Sequence, residues 1–352
     1  MPHDLDRPFL VRRPALRWML PVLVGVVVVG AGTAGRVLTA DAAPALPPRT
    51  AAQLLVDLQT ADPAGLSGTV VQKSNLGLPN LPTDGTQGSS DFSSMLTGSH
   101  TLRVWYGGRE RQRVALLGTL GESDVVRNGL NVWTWSSKHN TATHSKLTAG
   151  SKLDQVTATP STPQQAADEA LAALSPTTTV STDGTGQVAG RAAYELVLTP
   201  KDKGSRIGQV RLAIDAAEKV PLRVRVYARG ASTPAFEVGF TQVSFAQPDA
   251  AQFTFTPPPG VTVTEESTDV DGRQPGGHAL KVVGSGWTSV VTASVPTGGA
   301  PSQLLKTFPR VSGGWGSGWL IESDLVSALL TDDGRLIVGA VDPARLYQVA
   351  AQ

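Results

Sequence analysis

Between Pro47 and Asp62 apolar side chains recur at Ala51, Leu54, Leu55, Leu58 and Ala61, one stripe of an α-helix. Thr50 is placed to cap its first turn, and Pro63 to end it. Beyond this helix the period changes from helical to alternating. "GLSGTVVQKSNLGL" reads as a strand. Residues 99–148 then break into "SHTLRVWY", "RERQRVALLG", "ESDVVRN", "LNVWTWSS" and "NTATHSKL", with Gly107-Gly108 and Asn128-Gly129 as turns. Short strands punctuated in this way predict an antiparallel meander. A second meander is predicted in "QVAGRAAYELVLT", "RIGQVRLAID", "VPLRVRVYAR" and "PAFEVGFTQVSF", closing with "FTFTPPPGVTV". Between the two lies a second helix, "STPQQAADEALAALSP", entered at Pro163 and ended at Pro176.

Alternation sorts the strand residues onto two faces. Leu102, Val104, Tyr106, Val114, Leu116, Leu130, Val132, Val210, Leu212, Ile214, Leu222, Val224 and Val226 fall on the apolar one. Arg103, Arg111, Arg113, Arg211, Arg223 and Arg225 fall on the other, so one side is wet. In "FEVGFTQVSF" the phase slips from Phe236, Val238 and Phe240 to Val243 and Phe245, which predicts a bulge or bend. Two helices cannot cover the apolar face of a sheet of about ten strands, and a sheet that large curls. The surplus apolar surface calls for closure of the sheet on itself or for a bound apolar ligand; a filled β-sandwich is the bland alternative.

"EESTDVDGRQPGG", residues 265–277, is polar and aperiodic and reads as a linker. Residues 278–352 predict a small α+β module. Its strands are "HALKVVG" and "WTSVVTASV", its helices "PSQLLKTF" and "DPARLYQVAA", and a hairpin turns at Asp332, Asp333 and Gly334.

At the other end, Arg7, Arg12, Arg13 and Arg17 precede an apolar run, and "ADAA" supplies small residues for cleavage between Ala42 and Ala43. Residues 1–42 therefore read as a signal peptide, with a retained N-terminal membrane anchor as the alternative; both put the rest of the chain outside the cytoplasmic membrane. The same run holds "VVVVGAGTAG", a G-x-G-x-x-G pattern. As a dinucleotide fingerprint it lacks its context. Pro44, Pro47 and Pro48 leave no room for the crossover helix, and Asp57 sits in a helical pattern instead of at a strand end.

Composition narrows the function further. Of 30 basic and 29 acidic residues, five Arg and three Asp lie in the first 42, which leaves the remainder near neutral and argues against nucleic acid as a partner. The 352 residues include no cysteine, excluding disulfides, thiol catalysis, thiolate metal sites and lipidation of an N-terminal cysteine. Of the five histidines only His139 and His144 are close, and strand spacing puts them on opposite sides of the pleat, so no metal is expected. No nucleophile elbow occurs, since "GWGSGW" has the wrong register around Ser317, and no carboxylate pair stands out for acid–base work. Asp269 and Asp271 lack the remaining ligands of a calcium loop. Trp105, Trp133 and Trp135 either line a ligand site or pack across strands. The expectation is a binding protein without catalytic residues or cofactor.

Four stretches, "PPRTAAQLLVDLQTADPAGLSGTVVQ", "HTLRVWYGGRERQRVALLG", "DVVRNGLNVWTWSS" and "PAFEVGFTQVSF", resemble the LolA-like fold family, most closely the LolA-type proteins of high-GC Gram-positive bacteria. The likeness spans residues 47–264. It implies a mainly β (α+β) architecture: a curled antiparallel half-barrel with a helix lid, here followed by a small C-terminal α+β domain. It also implies a concave apolar cavity that shields acyl chains, with the apolar strand face above as its wall and Leu54, Leu55 and Leu58 as lid or plug. Burying acyl chains is worth about 0.8 kcal/mol per CH₂, so a smooth apolar groove suffices. The implied role is an extracytoplasmic carrier of acyl lipid or lipoprotein, close to the membrane, with an ABC transporter as partner. A LolA-like domain joined to a smaller C-terminal one is also the layout of RseB, which implies an envelope sensor that regulates an anti-sigma factor.

Overall fold

The computed structural model describes residues 46–78, 90, 92–119, 121–147, 175–267, 281–294, 305 and 307–352. The leader with its glycine pattern and cleavage site, all but the last two residues of the helix at 161–176, linker residues 268–277 and most of "PSQLLKTF" lie outside the described residues.

Helix α1 runs Ala51–Thr60. It starts where the sequence says, because Thr50 and Gln53 form a capping box: Gln53 N–H donates to Thr50 Oγ1 (3.2 Å) and Thr50 N–H to Gln53 Oε1 (3.0 Å). The first meander consists of β1 (Leu66–Ser74), β2 (Gly98–Tyr106), β3 (Arg111–Leu117), β4 (Glu122–Asn128), β5 (Asn131–Ser136) and β6 (Thr141–Lys146). The second consists of β7 (Thr178–Val188), β8 (Arg191–Pro200), β9 (Ile207–Asp215), β10 (Pro221–Ala228) and β11 (Phe236–Ser244), and β12 (Thr262–Ser267) follows. All twelve form one sheet, ordered β12-β6-β5-β4-β3-β2-β1-β11-β10-β9-β8-β7. The meanders join where β1 pairs with β11, and the edge strands β12 and β7 do not meet, so the sheet is curled and open instead of a closed barrel.

The predicted phase slip is a bulge at that seam. Thr69 faces Gln242 while Val70 faces Phe240, which leaves Thr241 as the extra residue. Two features differ from the sequence reading. "QVAGRAAYELVLT" is the end of β7, a turn at Ala189 and Gly190 (φ 52° and 75°), and β8. The rest of β7, "TTVSTDGTG", is too rich in Ser, Thr and Gly to show alternation; it forms because β8 offers it a free edge, and a bulge between Thr182 and Thr185 absorbs Asp183-Gly184. Strand β12 pairs in parallel with β6 and reaches Ser267, three residues into the predicted linker.

The C-terminal part forms a second sheet from β13 (Lys281–Val283), β14 (Val290–Ser294), β15 (Arg310–Gly313), β16 (Gly316–Glu322), β17 (Ser327–Thr331) and β18 (Arg335–Gly339). Its order is β13-β14-β18-β17-β16-β15, with the expected hairpin turn at Gly334 (φ 82°). Helix α2 (Pro343–Ala350) buries Leu346 and Val349 against Val290, Leu320, Leu329 and Ile337. The two sheets touch through specific bonds. Arg206 Nη1 lies 3.0 Å from Glu322 and 3.5 Å from Asp342, and Trp287 Nε1 donates to Thr178 Oγ1 at 2.8 Å.

Candidate functional site

Register shows which side chains share the concave face. Leu196, Leu212, Val224 and Val238 stand side by side across β8, β9, β10 and β11, and Leu198, Val210, Val226 and Phe236 form the next row. With Tyr194, Ile214, Val70 and Val104 they make one buried cluster, and α1 lays Leu54 and Leu55 into it, with Leu58 packed at its border. Leu54 is fully buried, which is worth about 1.5–3 kcal/mol for a leucine. Thus Leu54, Leu55, Leu58, Val104, Val114, Val210, Leu212, Ile214, Val224 and Val226, all expected on the apolar face or lid, meet in this one cluster or against it.

The rest of the expected face is distributed differently. Leu102 and Leu116 are fully buried but form a separate cluster with Phe92 and Met95 of the 3₁₀ turn Phe92–Leu96. Tyr106 is half-buried beside Leu66, and burial followed by the nearby Asp62 carboxylate pushes its phenol up from the ordinary value. Leu130 is a correction. The tight turn after Asn128 places it in the loop, 38% exposed. Val132 is likewise outside the apolar clusters; its neighbours in register are Arg127 and Ser145. Leu222 is the extra residue of a bulge, since Pro221 faces Ile214 and Arg223 faces Ala213, and it joins Val188, Ala193, Ala213 and Val220 in another cluster.

Trp105, Trp133 and Trp135 lie on the opposite face. Trp133 stacks on His144 (4.4 Å between ring centroids) and leans on Phe255 (5.4 Å), and the Arg113 guanidinium sits 5.1 Å over Trp105. Arg113 also forks onto Asp124 (2.8 and 3.3 Å), whose carboxyl burial still holds above the usual range. Arg211 and Arg225 share Glu195 at 2.8 and 2.7 Å. Sheet packing is therefore the role of these aromatics, and the wet face is a lattice of paired charges.

Three groups on the concave side were not singled out by sequence. Tyr194, Leu196 and Leu198 do alternate in "YELVL", but "QVAGRAAYELVLT" also holds the end of β7 and the turn before β8, which blurs the parity. Leu325, on the turn between β16 and β17, is 7% exposed and belongs to the concave cluster of the other sheet, with Trp287 packed against it. No local pattern announces a leucine that is buried by another module. Gln72 and His100 are polar residues buried on the same face. Among the described residues no three His, Asp or Glu side chains gather as a metal site.

Residues 93–257 match the family model of the MucB/RseB N-terminal domain. That span runs from within the 3₁₀ turn across β2 to β11 to the 3₁₀ helix Ala250–Phe253, and leaves out α1 and β1. No curated protein matches the sequence. Among solved structures, a chain of the Pseudomonas aeruginosa MucA/MucB complex is 20% identical, with a TM-score of 0.47 over 85% of this chain and 96% of that one. A LolA superfamily protein from Nitrosomonas europaea is 13% identical, with a TM-score of 0.23 over 59% of this chain and 99% of that one. LprF from Mycobacterium bovis is 13% identical, with a TM-score of 0.28 over 56% and 96%.

Proposed function

We propose that this chain is an extracytoplasmic, non-catalytic binding protein of the MucB/RseB type. It takes the acyl chains of a lipid or lipoprotein on the concave face of the large sheet and reports occupancy to a protein partner, an anti-sigma factor, through the C-terminal module. The observation that carries this reading is Leu325. A side chain of the C-terminal module is part of the same apolar cluster as Leu54 and Leu55, so an acyl chain that enters the cluster changes what the module rests on. The family match over residues 93–257 supports it. MucB itself has been solved together with MucA.

The second reading is a carrier that exchanges its cargo with an acceptor and an ABC transporter. Helix α1 favours it, because a single short helix laid on an apolar face is enough to open and close a site. The two readings share the ligand and differ in the partner. Genes for a sigma and anti-sigma pair beside this one support the sensor, whereas a transporter operon supports the carrier.

The deciding experiment is native mass spectrometry with lipid extraction on protein purified without detergent. A co-purifying acyl lipid, displaced when α1 is deleted, is the expected result. An empty protein that also ignores added oleyl alcohol, oleamide and methyl oleate overturns both readings.

A further inference from the structure

The row Leu196, Leu212, Val224, Val238 does not end at β11. In register it continues to Gln72 on β1 and His100 on β2. Both are buried, at 1% and 8% exposure, so an apolar track across four strands runs into two polar side chains that water does not reach. Burying them costs free energy unless their hydrogen bonds are made.

The bonds that are made all use donors. Gln72 Nε2 donates to Met95 O (2.7 Å), Ser74 Oγ to Leu96 O (2.8 Å) and His100 Nε2 to Thr97 O (2.8 Å). Three successive carbonyls of the 3₁₀ turn and its exit are thereby taken by side chains of β1 and β2. A carbonyl can only accept, which fixes both ambiguous groups. Flipping the Gln72 amide would set Oε1 against Met95 O, so Oε1 points away from the turn, and there it is buried without a partner. His100 carries its hydrogen on Nε2, which in the neutral ring leaves Nδ1 as an acceptor. What remains buried and unsatisfied at the end of the track is one acceptor, Gln72 Oε1.

We propose that Gln72, with His100 beside it, is a headgroup subsite for an acyl ligand whose head is an uncharged hydrogen-bond donor, a hydroxyl or an amide N–H. The inference rests on the acyl-binding reading above and adds the chemistry of the head. Carboxylates and phosphates are disfavoured, because their oxygens meet another acceptor in a buried setting. A hydroxyl or N–H answers the orphaned oxygen, and the chain behind it lies along Val238, Val224, Leu212 and Leu196.

The test uses the full chain, stripped of lipid, and measures displacement of a fluorescent fatty-acid methyl ester by oleyl alcohol, oleamide and methyl oleate. These share a chain and differ in whether the head donates. We expect at least one donor to bind about tenfold more tightly than methyl oleate, the scale of one bond to an otherwise unpaired buried acceptor. Gln72→Met should remove that preference, so that the three lipids bind with similar affinity. A stronger preference for oleyl alcohol assigns the subsite to an acylglycerol head, and one for oleamide to an N-acylated terminus. Equal affinities in the unaltered protein, or a preference that survives Gln72→Met, overturn the subsite while the acyl site stands. Failure of all three lipids to bind overturns the acyl site itself. If Gln72→Met does not fold, the ratio in the unaltered protein still decides, and His100→Phe tests the neighbouring acceptor.

Discussion

The phenol of Tyr194 in β8 donates to the carbonyl oxygen of Pro47 at 2.8 Å, so the large sheet holds the segment that leads into α1. A second fastening is electrostatic. Asp57 of α1 lies between Arg49 Nη1 (3.0 Å) and Lys219 Nζ (3.2 Å), the latter in the turn before β10. Removing the phenol oxygen deletes one hydrogen bond and leaves the Pro47 carbonyl to find another partner. Tyr194→Phe should therefore cost about 1 kcal/mol. The loss should be local, seen as faster amide exchange in residues 51–60 with protection of β8 and β9 unchanged. Uniform acceleration across the sheet would show that the bond holds the core and not the helix.

Truncating Leu54 tests whether the concave cluster and the ligand site are the same place. The side chain is fully buried, so Leu54→Ala should destabilise by about 2–5 kcal/mol, with a cavity left in the concave cluster. An acyl chain that uses this face has more room in the variant. Added oleyl alcohol should raise the melting temperature of Leu54→Ala by more than that of the parent protein, because binding only to the folded state stabilises it. An equal shift in both would place the ligand elsewhere.

Local chemistry made much of this legible in the sequence, and distant contacts hid the rest. Thr50 announces the start of α1 because its cap is local, closing on Gln53 three residues further on. The slip between Phe240 and Val243 announces the bulge at Thr241 because alternation has a fixed period. Strand β7 stayed hidden since its pairing with β8, and not its own composition, makes it a strand. Leu130 and Leu222 keep the right parity, yet a turn and a bulge move them off the face, and parity cannot see either. Leu325 and Gln72 depend on what covers them: a second module for one and the 3₁₀ turn for the other.

The seam between the meanders has no room for a side chain at Gly68. A Cβ there would come within 2.4 Å of the Gln242 carbonyl oxygen and 2.8 Å of the Phe240 ring, next to the bulge. The ring can turn, but the backbone of β11 cannot move without loosening its pairing with β1. Gly68→Ala should cost about 1–3 kcal/mol, as overpacking does. Gly129→Ala is the contrasting substitution. Nothing lies within 4 Å of its Cβ position, so only its positive φ (60°) opposes the change. Equilibrium unfolding in urea should rank Gly68→Ala as the more damaging, and the reverse order would mean that β11 yields easily at Thr241.

Asp215 and Asp124 should give opposite slopes to the acid limb of stability. Burial pushes the Asp215 carboxyl up, but the Arg191 fork and the backbone N–H groups of Glu218 and Ala217 outweigh it and hold the group below the usual carboxylate range. A depressed folded value means that its contribution is complete above the unfolded value of about 3.9 and is lost as pH falls through the folded one. Asp215→Asn should thus weaken the protein at pH 7 and reduce its further loss of stability below about pH 4. Asp124 is raised instead, burial prevailing over Arg113, so the folded state holds that proton more tightly and gains stability as the carboxyl protonates. Asp124→Asn should remove that gain and make the protein's response to acid steeper. Urea unfolding of both variants and the parent at pH 7, 4 and 3 measures the two differences. Slopes of the same sign would show that the balance between burial and the arginine pair is reversed at one of the two carboxyls.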